Sequence, residues 1–335
     1  MKMNTTEIDF VLPWVDGSDD SWYEEKCRYQ GIEEGLTEWE SGSIRYRSWD
    51  NLRYWFRGVE KFAPWVHRIH FVTWGHIPDW LDVNNSKLHI VKHEDYIPEK
   101  YLPTFSANPI ELNFHRIEGI ANQFVYFNDD MFLLRPVKPE DFFKNGLPRD
   151  TAALNALSLP PYATTLLTVN NTAVINRNFS KKKTLIENPL KWFNPLYGKD
   201  VLRTVCLLPW PRFTGFREPH LPDSFLLRTY EEVWEKEPEV LEETCMHRFR
   251  NAKDVTQWLM RDWQLVKGDF VPRSHRIGKV YSKPIDDEII SCISKGKYKM
   301  VCINDCTEND SFEIERDRLN EAFSCLLPDK STFEI

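Results

Sequence analysis

Three apolar stretches of this chain end directly in aspartate or asparagine, and this recurring pattern restricts the folds that the chain can adopt. The clearest is the strand-like run 124–127, which leads into polar residues and is followed at once by Met131 and Phe132. Carboxylates at the end of a buried strand are costly unless a cation or hydrogen-bond donors compensate them. The residues that end the three stretches are Asp16, Asn128, Asp129, Asp130, Asn304 and Asp305. We expect them to meet in one polar site at the ends of three strands.

Strand-like and helical segments alternate through the first part of the chain. Strands are predicted at residues 8–15, 68–73, 87–91 and 123–127. Apolar residues at helical spacing predict a helix over 52–62 with Ser48 as its cap, and a second helix that begins after Asn108 as its cap. The polar stretch 21–43 is predicted to be a loop with a short helix. This rhythm is typical of an α/β, Rossmann-like domain, in which ligands bind at the carboxyl ends of the strands.

We predict three parts in the chain. Residues 1–137 form the α/β half, and residues 138–300 form a mostly helical insertion or lid. Within the second part, residues 169–188, 190–205, 224–236 and 251–266 have helical patterns. Residues 301–335 supply a late strand that returns to the sheet, together with a C-terminal helix.

Composition argues against several classes of protein. A net charge of -8 over 335 residues disfavours a general nucleic-acid binder, which needs a basic face. The seven cysteines form no Cys-x-x-Cys pair, so neither a disulfide framework nor a zinc site is indicated. The signatures of dehydrogenases, P-loop enzymes, zinc proteases and serine hydrolases are missing. Because no signal region, bilayer-spanning run or strong amphipathic anchor is visible, we expect a cytoplasmic, reduced protein.

The acidic turn after residue 127 has two interpretations. Its side chains can cap backbone groups in an ordinary turn. They can equally hold a divalent metal, since Mg²⁺ takes hard oxygen ligands and shares them with substrate phosphates. The apolar residues on both sides of Asp129 and Asp130 favour the metal site.

The first strand ends in a second candidate binding segment. Trp14 is placed to stack on a nucleobase, Asp16 to bond the base or ribose, and Gly17 to let the backbone approach a nucleotide. The alternative is a strand followed by a simple turn at Gly17.

Several arginines are candidates for binding phosphate. Arg47 and Arg57 lie on or before the first long helix, where a solvated face is the ordinary interpretation and a phosphate clamp the functional one. Asn108, Arg116 and Arg248 complete the predicted substrate-binding set.

Two further residues are candidates for catalysis. His220 stands between Pro219 and Pro222, and a histidine held rigidly in an irregular segment suits acid-base work, although a lone histidine is more often structural. Arg250 belongs to the cationic cluster that starts at His247, before a predicted helix. Cations are unfavourable at a helix start, so a bound anion or a nearby acid is expected there.

Taken together, these motifs resemble the Stealth family of sugar-phosphate transferases. The matching stretches are Ile8-Asp-Phe-Val-Leu-Pro-Trp-Val-Asp-Gly-Ser-Asp19, Tyr126-Phe-Asn-Asp-Asp-Met-Phe132, His220-Leu-Pro222, His247-Arg-Phe-Arg250, Ile303-Asn-Asp305 and Leu327-Pro-Asp-Lys-Ser-Thr-Phe-Glu334. The chain departs from the family pattern at Leu12-Pro13, at Trp74 and within the stretch 104–111. These departures fall where substrate contacts are expected, so they concern the sugar rather than the class of reaction.

The resemblance implies a GT-A-like mixed sheet and a specific reaction. Asp130, His220, Arg250 and Asn304-Asp305 fall on the family's active-site positions. Hexose-1-phosphate or N-acetylhexosamine-1-phosphate would pass from a nucleotide sugar, expected to be UDP-linked, to a hydroxyl of a growing surface polysaccharide, and a nucleoside monophosphate would leave. Mg²⁺ or Mn²⁺ would be held by ligands drawn from Asp129, Asp130, Asn304 and Asp305.

Several alternatives stay open at this point. Either His220 or Asp130 can serve as the base for the acceptor hydroxyl. An ordinary glycosyltransferase, which attacks the anomeric carbon, would have the same fold and acids, and a carbohydrate-binding module is a third reading. The acceptor glycan is expected to be lipid-linked, which implies peripheral contact with the inner face of a bacterial membrane.

Overall fold

The computed structural model of the protein describes residues 7–32, 46–158, 164–306 and 309–335. Its strands are β1 Ile8–Pro13, β2 Ile69–Thr73, β3 Leu88–Lys92, β4 Gln123–Tyr126, β5 Met131–Leu133, β6 Phe143–Lys144, β7 Leu147–Asp150, β8 Asp223–Leu226, β9 Val271–Pro272, β10 Gly278–Tyr281 and β11 Met300–Ile303. Its α-helices are α1 Asp20–Ile32, α2 Leu52–Phe62, α3 His93–Tyr96, α4 Ala107–Leu112, α5 Pro139–Phe142, α6 Thr165–Asn178, α7 Lys181–Glu187, α8 Pro189–Trp192, α9 Lys199–Cys206, α10 Leu227–Lys236, α11 Pro238–Met246, α12 Trp258–Lys267, α13 Asp287–Ser294 and α14 Phe312–Leu326. None of the described helices has the length and apolar character required to span a bilayer.

A five-stranded mixed sheet in the order β3-β2-β1-β4-β8 forms the centre of the molecule. Strands β1 to β4 are parallel, and β8 runs antiparallel to β4 at the edge. Successive side chains of a strand point to opposite faces, and helices cover both faces of such a sheet. Phe10 and Leu12 therefore enter one hydrophobic core, whereas Val11 between them enters the other. These features confirm the predicted α/β, Rossmann-like mixed sheet with helical additions.

A second sheet, in the order β10-β11-β5, lies beside the first. Strand β5 begins immediately after the acidic turn and pairs antiparallel with β11, so that Met131 stands opposite Cys302. Asn128, Asp129 and Asp130 consequently form the link between the two sheets. A small third sheet has the order β6-β7-β9.

The structure corrects two predictions about strands. Residues 224–226 belong to β8, where a continuous helix 224–236 was expected, and α10 begins only at Leu227. Short apolar runs do not distinguish strand from helix by periodicity, which explains the error. The late strand is present at Met300–Ile303, but it joins the second sheet instead of returning to the central one.

The structure also corrects the predicted helix starts. Asn51, not Ser48, precedes α2, and the Ser48 hydroxyl instead accepts a hydrogen bond from the Asp50 amide. Ser106, not Asn108, caps α4, which ends at Leu112 and is followed by a single 3₁₀ turn. Helix α1 occupies the first part of the expected loop 21–43, and residues 33–43 lie outside the described ranges.

Candidate functional site

A cavity of about 780 Å³ opens where the carboxyl ends of β1 and β4 meet the end of β11. Parallel strands deliver their carboxyl ends to one edge of a sheet, which is where ligands bind in such folds. The cavity continues into a smaller one of about 300 Å³ beside α4. Residues that line both cavities include Trp14, Asn128, Asp129, His220, Arg250 and Trp258. Segments far apart in the sequence therefore converge on one site.

The acidic turn lies at the floor of this site and is fixed by backbone hydrogen bonds. The Ile303 amide donates to the Asp130 carbonyl oxygen at 2.9 Å, and the Met131 amide donates to the Asn128 carbonyl oxygen at 3.1 Å. The pKa of Asp129 is raised, first because surrounding protein displaces water and second because the Asp130 carboxylate is adjacent. Asp129 remains exposed to the cleft, so repulsion from Asp130 is the firmer of these two causes. Two adjacent carboxylates of this kind favour a cation.

His220 reaches the acidic turn from the segment that precedes β8. Its Nε2 lies 3.6 Å from Asp130 Oδ2 and 3.2 Å from Asn128 Nδ2, and its ring meets the Trp258 ring edge-to-face with centroids 5.9 Å apart. Burial on its own lowers the pKa of His220, but the neighbouring Asp130 carboxylate outweighs this effect and raises it. The imidazole thus stands at the cavity wall in contact with an acid, as a group that exchanges protons requires.

A chain of buried hydrogen bonds connects His220 to the protein interior. The Tyr126 hydroxyl bonds both the Glu111 carboxyl group and Asn128 Oδ1, and the Asn128 amide nitrogen in turn faces His220 Nε2. Glu111 is 5% exposed, and burial raises its pKa to about 7 although the hydrogen bond from Tyr126 opposes this. Because one hydroxyl proton cannot serve two acceptors, a protonated Glu111 that donates to Tyr126 satisfies every group in the chain.

One cluster in the described part of the chain has the geometry of a metal site. Ligand atoms of Asp130, His220 and Cys302 lie within 4.8 Å of one another. Burial raises the pKa of the Cys302 thiol well above its usual value, and the charge of Asp130 adds to this, so sulfur stays protonated. Asp130 Oδ1 is buried and has no hydrogen-bond partner among the described groups. The donor set therefore fits a hard cation on carboxylate oxygens better than a thiolate-bound metal.

Asn304 and Asp305, which were predicted as further metal ligands, form hydrogen bonds to other protein groups. Arg47 binds both oxygens of Asp305, and Trp49 Nε1 also donates to Asp305 Oδ2 at 3.0 Å. Asn304 Nδ2 donates to the Ser282 hydroxyl at 2.8 Å. All of these residues except Ser282 line the larger cavity. The observed contacts do not support the metal-ligand role of Asp305, because its charge already faces a guanidinium.

The segment after β1 is only partly in the site. Trp14 lines both cavities and stacks on Phe71, whereas Asp16 accepts hydrogen bonds from Ser18 and lies outside the two linings. A Cβ atom on Gly17 would lie 2.0 Å from the Tyr46 carbonyl oxygen. Close passage of the chain past residue 46 therefore accounts for the glycine.

Of the other predicted substrate-binding residues, some line a cavity and others lie outside both cavities. Asn108 lines the smaller cavity, where its amide donates to the buried Asp254. Arg57 instead forms an ion pair with Glu334 near the end of the chain and donates to the Leu327 carbonyl. Residues outside both cavity linings are Arg57, Arg116, which lies over Trp234, and Arg248, which lies over Tyr29. Glu111, Trp258 and Cys302 are site residues that the sequence analysis missed.

The fold and the cavity define an α/β protein whose cleft combines adjacent carboxylates, a histidine and two arginines. Comparison with known proteins then gives the family. Residues 45–150 match the model of Stealth protein CR2, conserved region 2. The chain is 43% identical over 332 residues to capsular polysaccharide phosphotransferase WcwK of Streptococcus pneumoniae, covering 99% of both chains. It is 43% identical over 330 residues to exopolysaccharide phosphotransferase cps2G of Lactiplantibacillus plantarum, covering 98% of this chain and 96% of the other.

This protein therefore belongs to the Stealth family of bacterial polysaccharide phosphotransferases, as its motifs predicted. A further relative, receptor polysaccharide phosphotransferase WefC of Streptococcus gordonii, is 42% identical over 334 residues and covers 98% of this chain and 99% of its own. Among solved structures, galactosyltransferase LgtC in complex with donor and acceptor sugar analogs aligns with a TM-score of 0.40 at 10% identity, covering 94% of this chain and 95% of that chain.

Proposed function

We propose that this protein transfers hexose-1-phosphate or N-acetylhexosamine-1-phosphate from a nucleotide sugar, a UDP sugar in the first instance, to a hydroxyl of a growing surface polysaccharide. The observation that carries the proposal is the convergence of Asp130, His220 and Arg250 from distant segments on one cavity. The names of the relatives, phosphotransferases of capsular and exopolysaccharides, support the same reaction class.

The donor's diphosphate needs compensation for its charge within the cavity. Arg250 lines both parts of the cavity, and its guanidinium suits a phosphoryl group. Mg²⁺ or Mn²⁺ fits beside Asp130 and Asp129, because Asp130 Oδ1 is buried and has no partner among the described groups. When bound there, the cation would neutralise charge on the diphosphate. Trp14 at the wall offers a ring face to the nucleoside or sugar.

In the chemical step, the acceptor hydroxyl oxygen attacks the phosphorus that carries the sugar. Its proton passes to the imidazole of His220, while the bond from that phosphorus to the bridging oxygen breaks. The nucleoside monophosphate leaves with the bridging oxygen, and a phosphodiester remains on the glycan. Asn128 and the hydrogen bonds behind it orient His220, and Arg250 stabilises charge on the transferred group. Asp130 is the alternative base if the cation takes different ligands.

The acceptor completes the proposal. We place a lipid-linked glycan in the cleft and the reaction in the cytoplasm, at the inner face of the membrane, because surface polysaccharides of bacteria grow on lipid carriers. The departures from the family pattern in the stretch 104–111 lie beside the smaller cavity, which makes this part of the wall a candidate for sugar selection.

The released nucleotide tests the proposal. Purified protein is incubated with a panel of nucleotide sugars, Mg²⁺ or Mn²⁺ and a short glycan acceptor, and the nucleotide products are separated by chromatography. A nucleoside monophosphate released in step with a new phosphodiester is the expected result, and Asp130→Asn should reduce this release at the Mg²⁺ concentration that suffices for the wild type. A nucleoside diphosphate would instead assign attack to the anomeric carbon and identify an ordinary glycosyltransferase.

A further inference from the structure

The stretch 181–212, which we call the basic-apolar surface, concentrates apolar side chains on the outside of the protein. Seven of the thirteen large apolar residues exposed in the described ranges lie within it. They are Ile186, Leu190, Leu196, Leu202, Val205, Leu208 and Trp210. Scattered exposed apolar residues are ordinary, but such a concentration marks an interaction surface.

Helix α9 within this surface is inverted relative to an ordinary surface helix. Its buried positions hold Asp200 and Thr204, whereas Leu202 and Val205 are 65% and 44% exposed. Asp200 is stabilised inside by an ion pair with Arg217. An amphipathic helix normally turns its apolar stripe to the core. Val201 packs against the core, so Leu202 and Val205 are the large apolar side chains that α9 presents outward, where they fit a partner outside the described chain.

The same stretch is strongly cationic within an acidic protein. It contains seven Lys and Arg residues against two acids, whereas the whole chain has 43 basic and 51 acidic residues. One of the two acids, Asp200, and one of the seven bases, Lys181, are buried. Lys182, Lys183 and Lys199 are exposed beside the apolar side chains. A partner for this surface must be apolar in its interior and anionic at its edge.

Hydrogen bonds from Lys181 fix the backbone of the turn that carries Trp210. The ammonium group of Lys181 is buried and donates to the carbonyl oxygens of Leu207 and Trp210. Trp210 is nevertheless 53% exposed. Tryptophan on a fixed turn beside lysines is typical of segments that lie at the interface of a bilayer with water.

We propose that the basic-apolar surface binds an anionic lipid bilayer, with Leu202 and Trp210 at the level of the acyl chains and Lys182 and Lys183 at the lipid phosphates. A second copy of this chain is a poorer partner, because a twofold interface would place like charges against each other. The stretch ends at Arg212, eight residues before His220, so at most about 28 Å of extended chain separates it from the site. Only this consequence, the delivery of the cleft to a lipid-linked acceptor, rests on the proposed function.

Sedimentation of the whole protein with vesicles tests the inference. The vesicles contain phosphatidylcholine alone or phosphatidylcholine with phosphatidylglycerol, and binding is measured at low and high salt. Leu202→Glu/Trp210→Glu should abolish sedimentation with the anionic vesicles, and Lys182→Gln/Lys183→Gln should weaken it on the order of tenfold. The matched control Val83→Glu/Ile314→Glu changes two exposed apolar residues elsewhere and should bind as the wild type does.

Three results would overturn the inference. They are no binding of the wild type to anionic vesicles, unchanged binding of the Leu202→Glu/Trp210→Glu variant, or a wild-type dimer in solution that this variant dissociates. Nucleotide release with a water-soluble acceptor is measured in parallel. Vesicle binding without any nucleotide release would refute the proposed function but support the lipid-binding surface. Nucleotide release without vesicle binding would support the proposed function and refute the lipid-binding surface.

Discussion

Glu111 provides the sharpest test of the hydrogen-bond chain behind the site. Its carboxyl group bonds the Tyr126 hydroxyl, which also bonds Asn128 Oδ1, and with the Asn128 amide in this orientation a protonated Glu111 satisfies both contacts. Burial raises the pKa of Glu111 to about 7 from its usual 4.5. An unfolded chain, by contrast, ionises this carboxyl group near its usual value.

The consequence is a loss of stability as pH rises. Between pH 4.5 and about 7 the folded protein holds the Glu111 proton more tightly than the unfolded chain does. The free energy of unfolding contributed by this group therefore falls through that window and is lowest above it. At about 1.4 kcal/mol per pH unit, the whole fall amounts to about 3 kcal/mol.

Glu111→Gln isolates this effect, because glutamine keeps the shape, donates to Tyr126 through its amide and does not titrate. Urea unfolding of the wild type and the variant is measured at pH 5 and pH 8. Relative to the variant, the wild type should lose about 2.5 kcal/mol of unfolding free energy on going from pH 5 to pH 8. The exposed Glu118→Gln serves as control and should show no such change. If the unfolding free energies of the wild type and Glu111→Gln differed by the same amount at both pH values, the inference that Glu111 is protonated would be refuted.

Three further predictions concern the site and the end of the chain. Replacing His220 with Gln should lower kcat by roughly 10²–10⁴-fold at an unchanged thermal midpoint, and unaltered turnover would exclude it as the base. Arg57→Met should leave turnover intact but lower the unfolding free energy by about 3 kcal/mol, because Glu334 loses its partner. Loss of turnover without loss of stability would instead indicate that Arg57 binds substrate. Chelation of divalent cations should abolish turnover reversibly, with Asp130→Asn raising the Mg²⁺ concentration needed, and turnover that survives chelation would remove the cation from the site.

The fold was largely predictable where periodic patterns are long. The parallel strands β1, β2 and β4 and helix α2 follow from apolar residues at spacings of 2 and 3.6. Strand β8 was not predictable, because its four residues, Asp-Ser-Phe-Leu, run directly into a helix and look like the first turn of that helix. The separate sheet around β11 depends on pairing with β5 between residues that are 167 to 171 positions apart in the sequence, and no local pattern specifies such a partner.

The site was predictable where polar residues interrupt apolar strands, and less so elsewhere. Asp130, His220 and Arg250 reach the cavity as expected, since each stands out from its neighbours in the sequence. Arg57 did not, because a guanidinium suits a phosphate and the carboxylate of Glu334 equally well. The outward orientation of the apolar side chains of α9 was not predicted, for a related reason. Its apolar spacing is that of a core helix, and only the structure shows which side faces outward.

The acidic turn lies between two sheets, and this position restrains its backbone. Tyr126 ends β4 in the central sheet, Met131 begins β5 in the second sheet, and Asp130 stands between them. Its carbonyl oxygen accepts from the Ile303 amide at the end of β11, so the turn is bound to both sheets at once. Displacing its carboxylate by backbone motion would break pairing in one sheet or the other. Two carboxylates that repel each other can therefore be kept adjacent without relaxing apart, which is the condition that a cation site between them requires.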